Sequence, residues 1–105
     1  MDPEYLLELT GGDRVVVREI LADFLASDAG DRRQLAAAVA AANAADIQQA
    51  AHRIKGAARA IGATAYADAA AAVEHAAPTG ADVNGLVRAL EKSSAALTDW
   101  AASFA

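Results

Sequence analysis

The chain has 105 residues, a net charge of −5 and a pI near 4.8. This length predicts a single domain, residues 1–105, that is large enough to fold alone. The acidic balance excludes free nucleic acid as a partner, because phosphate backbones are bound through a basic face. The chain has no cysteine, which excludes a disulfide framework and a thiolate metal site.

Composition favours an all-α fold. Alanine, the strongest helix former, accounts for 32 of the 105 residues. Residues of the β-branched and aromatic types are sparse and never alternate over a strand-length run, so we expect no sheet. The apolar runs are too weakly hydrophobic to span a bilayer, and the N-terminus lacks a signal-peptide profile, which predicts a soluble domain without direct membrane contact.

The first half of the chain carries three helix start signals. Asp2 and Pro3 predict the N-cap and first turn of a short helix that ends near Leu9. Asp13 is predicted to cap a core-facing helix that ends at Asp28-Ala29-Gly30. A further helix is predicted from Arg32 to about Ala42, followed by a break at Asn43-Ala44-Ala45.

The second half predicts three more helical segments. Asp46 is expected to cap a helix that ends at Gly62, a glycine typical of a C-cap. Another segment begins at Thr64 and ends at Pro78-Thr79-Gly80, and Asp82 is expected to cap the last helix. Since the connection after Gly62 is short, its flanking helices should be antiparallel. We predict an antiparallel four-helix bundle with the short N-terminal helix packed across one end.

The helix from Asp46 to Gly62 presents a histidine on its outer face. At about 100° of turn per residue, His52 lies about 140° from Ile47, which belongs to the apolar stripe. Lys55 follows His52 by three residues and Gly56 by four. A glycine inside a helix costs about 1 kcal/mol relative to alanine, so Gly56 indicates a requirement such as the close approach of another protein.

These residues suit phosphoryl chemistry. A histidine that accepts a phosphoryl group must be exposed and neutral, and it benefits from a nearby cation that offsets charge on the transferring oxygens. Lys55, three residues after His52, can bring its ammonium group close to a phosphoryl group on the histidine. The sequence has no Gly-rich ATP-binding loop and no acidic cluster built for Mg²⁺, which argues against a kinase activity of its own.

The run His52-Arg53-Ile54-Lys55-Gly56, with Gly62 ten residues after the histidine, resembles the signature of histidine-containing phosphotransfer (Hpt) domains of bacterial phosphorelays. Ile54 stands where the family more often has leucine, an apolar exchange that leaves the motif intact. The segment AHRIKGAARAIGA is also similar to the C-terminal Hpt module of hybrid sensor histidine kinases of the BvgS kind. The motif covers about a dozen residues, and the order of a short helix before four long ones matches the family over the whole chain.

The resemblance implies a two-component phosphorelay carrier. His52 would take the phosphoryl group on Nε2 from the aspartate of one response-regulator receiver domain and pass it to the aspartate of another. Lys55 would stabilise phosphate charge, and Gly56 would allow the receiver to approach. The resemblance implies no cofactor or metal bound by this chain itself, with Mg²⁺ in the receiver. It also implies a monomer in the cytoplasm, or in the cytoplasmic portion of a membrane-anchored sensor kinase.

Further residues are weaker candidates. Gln48, Gln49 and Arg59 could bind phosphate or receiver, or could be ordinary solvated surface. Ala51, Ala60 and the short N-terminal helix are candidates for an apolar docking patch near the histidine. His75 is predicted to be ordinary surface, since no lysine or glycine follows it at one helical turn.

Two alternatives from other classes remain open. In the first, the chain is a helical interaction or dimerisation module in which His52 is incidental. In the second, it is the dimerisation domain of a histidine kinase, which also carries a histidine on a helix. That class usually has an acidic residue directly after the histidine, where this chain has Arg53.

Overall fold

All regular structure in the described part of the chain, residue 1 and residues 3–104 of a computed structural model, is helical. This confirms the all-α prediction. The elements are α1 (Glu4–Leu9), α2 (Arg14–Ala40), α3 (Ala44–Ala60), α4 (Thr64–Ala76), a 3₁₀ turn (Ala77–Thr79) and α5 (Asn84–Ser103).

The four long helices form a bundle that measures 44 × 18 × 18 Å. α3 packs between α2 and α4, α4 also packs against α5, and α5 closes the ring against α2. The connections at 41–43 and 61–63 are only three residues long, so α2, α3 and α4 run antiparallel to their neighbours. α1 contacts α2 and inserts Leu6, which is fully buried, into the core. The predicted bundle with a short additional N-terminal helix is confirmed.

The predicted helix break at residues 28–30 is wrong, because α2 is continuous for 27 residues. Asp28 is only 3% exposed and serves the core instead of a helix cap. Its carboxylate accepts hydrogen bonds from Tyr66 Oη at 2.6 Å, Arg32 Nε at 2.9 Å and Ser94 Oγ at 3.3 Å. Gly30 costs α2 about 1 kcal/mol of helix propensity, less than the packing on either side of it supplies. Without the break, the chain has four long helices.

The Asp28 cluster ties three helices together. Burial, with the hydrogen bond to Asp28, raises the pKa of Tyr66 far above its ordinary value, so its hydroxyl remains a donor. Arg32 also donates to Glu91 of α5 at 3.1 Å. Since buried polar groups are costly unless they are hydrogen-bonded, this cluster favours one register of α2, α4 and α5.

The cap predicted at the start of α2 is confirmed. Asp13 Oδ1 accepts hydrogen bonds from the backbone N–H groups of Val15 and Val16 at 3.0 and 3.2 Å. The cap predicted at Asp2 lies outside the described residues, and Pro3 is the N-cap residue of α1.

Two other predicted caps differ by a few residues. Asn43, and not Asp46, caps α3: its side-chain oxygen accepts from the backbone N–H of Asp46 at 3.1 Å. Asn43 was predicted to interrupt the helix, and it does so as the N-cap residue of α3. Asp82 accepts from the backbone N–H of Asn84 at 2.9 Å, but the N-cap position of α5 is Val83.

The turn between α3 and α4 requires glycine. Gly62 has a φ of +75°, and its N–H and that of Ala63 bond back to the carbonyls of Arg59 and Ala58, which closes α3 in a Schellman motif. A Cβ at Gly62 would lie 2.6 Å from Cδ1 of Tyr5. The ring of Tyr5 therefore rests on this turn, and α1 lies at this end of the bundle.

The turn between α2 and α3 has the same form without the glycine. Ala42 occupies the corresponding position with a φ of +52°, while the N–H of Asn43 bonds to the carbonyl of Ala38 at 3.1 Å. A left-handed conformation costs a residue with a Cβ about 1 kcal/mol or more. This turn therefore stores strain that the turn at Gly62 avoids.

We expect Ala42→Gly to raise the free energy of unfolding by about 0.5–1 kcal/mol, because glycine relieves the left-handed strain. Gly62→Ala should lower it by more than about 1 kcal/mol, through the same strain and the clash with Tyr5. Urea unfolding of the two variants tests the pair. A loss of stability in Ala42→Gly, or none in Gly62→Ala, would contradict this description of the two turns.

Candidate functional site

His52 lies on the outer face of α3. Its side chain is 67% exposed, whereas Ile47 and Ile54 of the same helix are buried in the core. The orientation agrees with the helical spacing, which places the histidine well away from the isoleucine stripe. The imidazole is therefore open to a molecule that approaches from solvent.

A carboxylate from the neighbouring helix holds the ring. Glu74 of α4 places Oε2 2.5 Å from Nδ1 of His52 and Oε1 2.5 Å from Nζ of Lys55. Glu74 and Lys55 are largely covered, at 12% and 15% side-chain exposure. One carboxylate thus joins the exposed histidine to the predicted phosphate-stabilising lysine across the α3–α4 interface. We call these three residues the histidine cluster.

Glu74 is ionised in this arrangement. The hydrogen bond from Lys55 has the largest effect and lowers the pKa of Glu74 below its ordinary value. Burial opposes this shift, and the hydrogen bond with His52 adds a smaller lowering of the same pKa. Because the carboxylate is charged, it offers only acceptors. Both of its neighbours must therefore act as donors.

This requirement assigns the protons of the imidazole. Nδ1 of His52 faces an acceptor and carries a proton, so in the neutral ring Nε2 keeps its lone pair. A neutral nitrogen with a free lone pair is a nucleophile. Glu74 also fixes the direction of the ring, since a hydrogen bond to one nitrogen sets the position of the other.

Gly56 lies one turn after His52 on the exposed surface. A Cβ built at this position would meet no heavy atom within 4 Å, so packing inside the domain does not require glycine. The backbone of α3 is accessible here beside the histidine. This is compatible with the predicted role of Gly56 in the approach of a partner, which stays a prediction.

The other predicted binding residues do not join the histidine cluster. Gln48, Gln49 and Arg59 are exposed, and none forms a hydrogen bond or ion pair with His52 in the described part of the chain. Arg53, directly after the histidine, faces α2, where it is hydrogen-bonded to Gln34.

Two smaller expectations have different outcomes. Ala51 is completely buried, so its predicted place in an exposed docking patch is wrong, while Ala60 is exposed. A seven-residue apolar rhythm puts Ala51 on the core side, and only its closeness in sequence to His52 suggested otherwise. His75 is exposed, as expected for ordinary surface.

Glu74 is the residue that sequence reasoning missed. A usable signal exists in the turn at Gly62. Residues at similar distances before and after a tight turn lie at the same level of an antiparallel helix pair. His52 lies ten residues before Gly62 and Glu74 twelve after it. Counting a similar number of residues from the turn along each helix would therefore have predicted that the Glu74 carboxylate lies beside His52.

Within residue 1 and residues 3–104, no three side chains of the metal-binding types lie close enough to hold an ion. No helix in that part is long and apolar enough to cross a membrane.

Comparison with known families matches the Hpt domain over residues 19–103. Neither the curated proteins nor the solved structures searched gave a match. The matched range contains all of α3, α4 and α5 and therefore the complete histidine cluster. An all-helical bundle with an exposed, carboxylate-held histidine is consistent with that match. The chain belongs to the Hpt domain family, the phosphotransfer modules of phosphorelays that interact with receiver domains.

Proposed function

We propose that this domain carries a phosphoryl group on Nε2 of His52, accepts it from the aspartate of one receiver domain and gives it to the aspartate of another. The observation that carries the proposal is the exposed ring of His52, whose Nδ1 is held 2.5 Å from the Glu74 carboxylate. That hydrogen bond leaves Nε2 as the free nucleophile.

The transfer balances without further reactants. The Nε2 lone pair attacks the phosphorus of the aspartyl phosphate, and the N–P bond forms as the P–O bond breaks. The electron pair of the broken bond remains on the aspartate carboxylate. The reverse step, with a second receiver, restores His52. The proton on Nδ1 stays in place throughout, beside Glu74.

We propose that Mg²⁺ for this reaction is bound by the receiver. Phosphoryl transfer requires positioning and charge stabilisation, and Mg²⁺ is usually held by carboxylates together with phosphate oxygens. The carboxylate nearest to His52 is that of Glu74, and it is already bonded to His52 and Lys55. This arrangement supports a division in which this chain supplies the nucleophile and the receiver supplies the metal.

We further propose that the receiver covers the outer face of α3 and reaches α1. Gly62, on which Tyr5 rests, lies about 15 Å along the helix from His52, within the span of a docked domain. Tyr5, Leu9 and Val15 are large apolar residues with 44%, 61% and 55% exposure at this end. Such apolar exposure supports a docking surface of modest size.

The cellular context belongs to the same proposal. The similarity of the motif to C-terminal modules of hybrid sensor kinases supports a place in such a kinase, on the cytoplasmic side, with the domain itself monomeric. Gln48, Gln49 and Arg59 are exposed on α3 and available for contacts with the receiver.

The direct test is replacement of the histidine. We expect His52→Gln to abolish phosphoryl acceptance from a phosphorylated receiver with Mg²⁺, because the amide offers no comparable nucleophile. Stability should change by less than about 1 kcal/mol, since the side chain is exposed. The measurement is acid-labile, alkali-stable phosphate on the domain, together with a thermal melt.

His75→Gln is the matched control, because His75 is an exposed histidine on the adjacent helix. It should accept phosphate like the wild type. Acceptance that survives in His52→Gln would overturn the assignment. A wild-type domain that accepts nothing from several receivers but associates stably with itself would favour the interaction module instead.

The role of Gly56 has its own test. We expect Gly56→Leu to slow transfer from the receiver at least tenfold, which corresponds to about 1.4 kcal/mol of docking free energy, because the side chain would project into the approach path. The fold should not suffer, since a Cβ meets nothing within 4 Å and leucine has the better helix propensity.

Gly85→Leu controls for that gain in helix propensity. Gly85 lies on α5, where a Cβ would meet only Nη2 of Arg88 at 3.8 Å. Both variants should be as stable as the wild type or slightly more so, but only Gly56→Leu should transfer slowly. Equal transfer rates in the two variants would show that Gly56 has no part in docking.

A further inference from the structure

The ammonium group of Lys55 is already engaged in the unphosphorylated domain. Its Nζ lies 2.5 Å from Oε1 of Glu74, and the side chain is only 15% exposed. A phosphoryl group on Nε2 of His52 would form on the ring nitrogen that does not face Glu74. An ammonium has three N–H donors, but a phosphate near Lys55 would share its charge with Glu74, so the two anions attract the same cation.

We infer that Glu74 and the phosphoryl group on His52 compete for Lys55, and that phosphorylation draws the ammonium from the carboxylate towards the phosphate. This inference rests on the proposed function. It gives Lys55 two alternative partners within one cluster, and it makes Glu74 a positioning residue that also limits how strongly Lys55 stabilises the phosphorylated state.

The side chains of the cluster permit this exchange. Lysine has a compact charge on a flexible four-carbon stem, so its ammonium can move while its backbone stays in the helix. Glu74 is bonded to His52 through its other oxygen and remains in place when Lys55 moves. Once His52 is phosphorylated, the phosphate and Glu74 are two anions on one imidazole, and the lysine is attracted to both.

Among the described residues, the neighbouring arginines are not ion-paired with Glu74, so they are not shared between this carboxylate and the phosphate. Arg53 is hydrogen-bonded to Gln34, and its Nε lies 3.8 Å from Oδ1 of Asp31; both partners are on α2. Arg59 lies two turns beyond His52 and is exposed. In the described part of the chain, Lys55 is the cation that is ion-paired to the residue holding the histidine.

The competition has a chemical consequence. A carrier must accept a phosphoryl group from one aspartate and release it to another, so the phosphohistidine must not be much more stable than the two aspartyl phosphates. Because Glu74 is ion-paired with Lys55, the lysine stabilises the phosphohistidine less than it would if Glu74 were absent. The transfer equilibrium then stays balanced in both directions.

A double-mutant cycle on the transfer equilibrium tests this. Lys55→Met, which keeps the apolar stem, is measured in the wild type and in the Glu74→Gln background. Glutamine keeps the shape and an oxygen that can accept from Nδ1, but it does not hold the ammonium by charge. The quantity measured is the equilibrium ratio of phosphorylated domain to phosphorylated receiver, approached from both sides with one receiver and Mg²⁺.

We expect Lys55→Met to shift the equilibrium away from the phosphohistidine by about threefold in the wild type and by about tenfold or more with Glu74→Gln, because the freed lysine binds the phosphate fully. Substitutions that change only the rate of transfer leave this ratio unchanged. Lys55→Gln serves as a second variant, and thermal melts check that each protein is folded.

An effect of Lys55→Met that is equal or smaller in the Glu74→Gln background would overturn the competition while the phosphoryl carrier stands. Failure of the wild-type domain to accept any phosphoryl group would overturn the proposed function, and this inference with it. The two failures are therefore distinguished in one set of measurements.

Discussion

The tight turn at Gly62 is the constraint on which the site depends. Its positive φ and Schellman hydrogen bonds end α3 and start α4 within three residues, so the register of the two helices is fixed. That register brings Glu74 level with His52 and Lys55, which lie 22 and 19 residues away in the sequence. A shift of α4 by one residue would turn the carboxylate by about 100° away from the histidine. The glycine therefore determines which side chain faces His52, although it lies at the far end of the helix.

The same register orients the exposed imidazole of His52 through its hydrogen bond to Glu74. An exposed imidazole in water exchanges its proton between two nitrogens, whereas a charged carboxylate at Nδ1 favours one tautomer and leaves the lone pair on Nε2. The low pKa of Glu74, caused first by Lys55, keeps that carboxylate charged at neutral pH. In the proposed carrier these three residues would have different roles: His52 would react, Glu74 would orient the ring, and Lys55 would supply positive charge to the phosphate.

Much of the bundle follows from local patterns in the chain. Apolar spacing predicted the helices and the outward face of His52, and the glycine after α3 predicted its end. Two features were not predicted correctly, and both depend on contacts between residues far apart in the sequence. Asp28 looks like a helix boundary until Tyr66 and Ser94 supply its partners from other helices. Glu74 looks isolated on α4 until the turn at Gly62 brings α3 alongside. Polar residues whose partners lie on other helices carry no periodic signal, so only the register of the fold reveals them.

Nitrogen NMR of the histidine-labelled domain tests whether Glu74 directs the nucleophile, because it reports the state of each ring nitrogen of His52 before and after phosphorylation by a receiver. We expect a proton on Nδ1 in the neutral, unphosphorylated ring and phosphorus on Nε2 afterwards, with Nδ1 still bonded to Glu74. A proton on Nε2 in the neutral ring, or phosphorus on Nδ1, would contradict it, because Glu74 would then not direct the nucleophile.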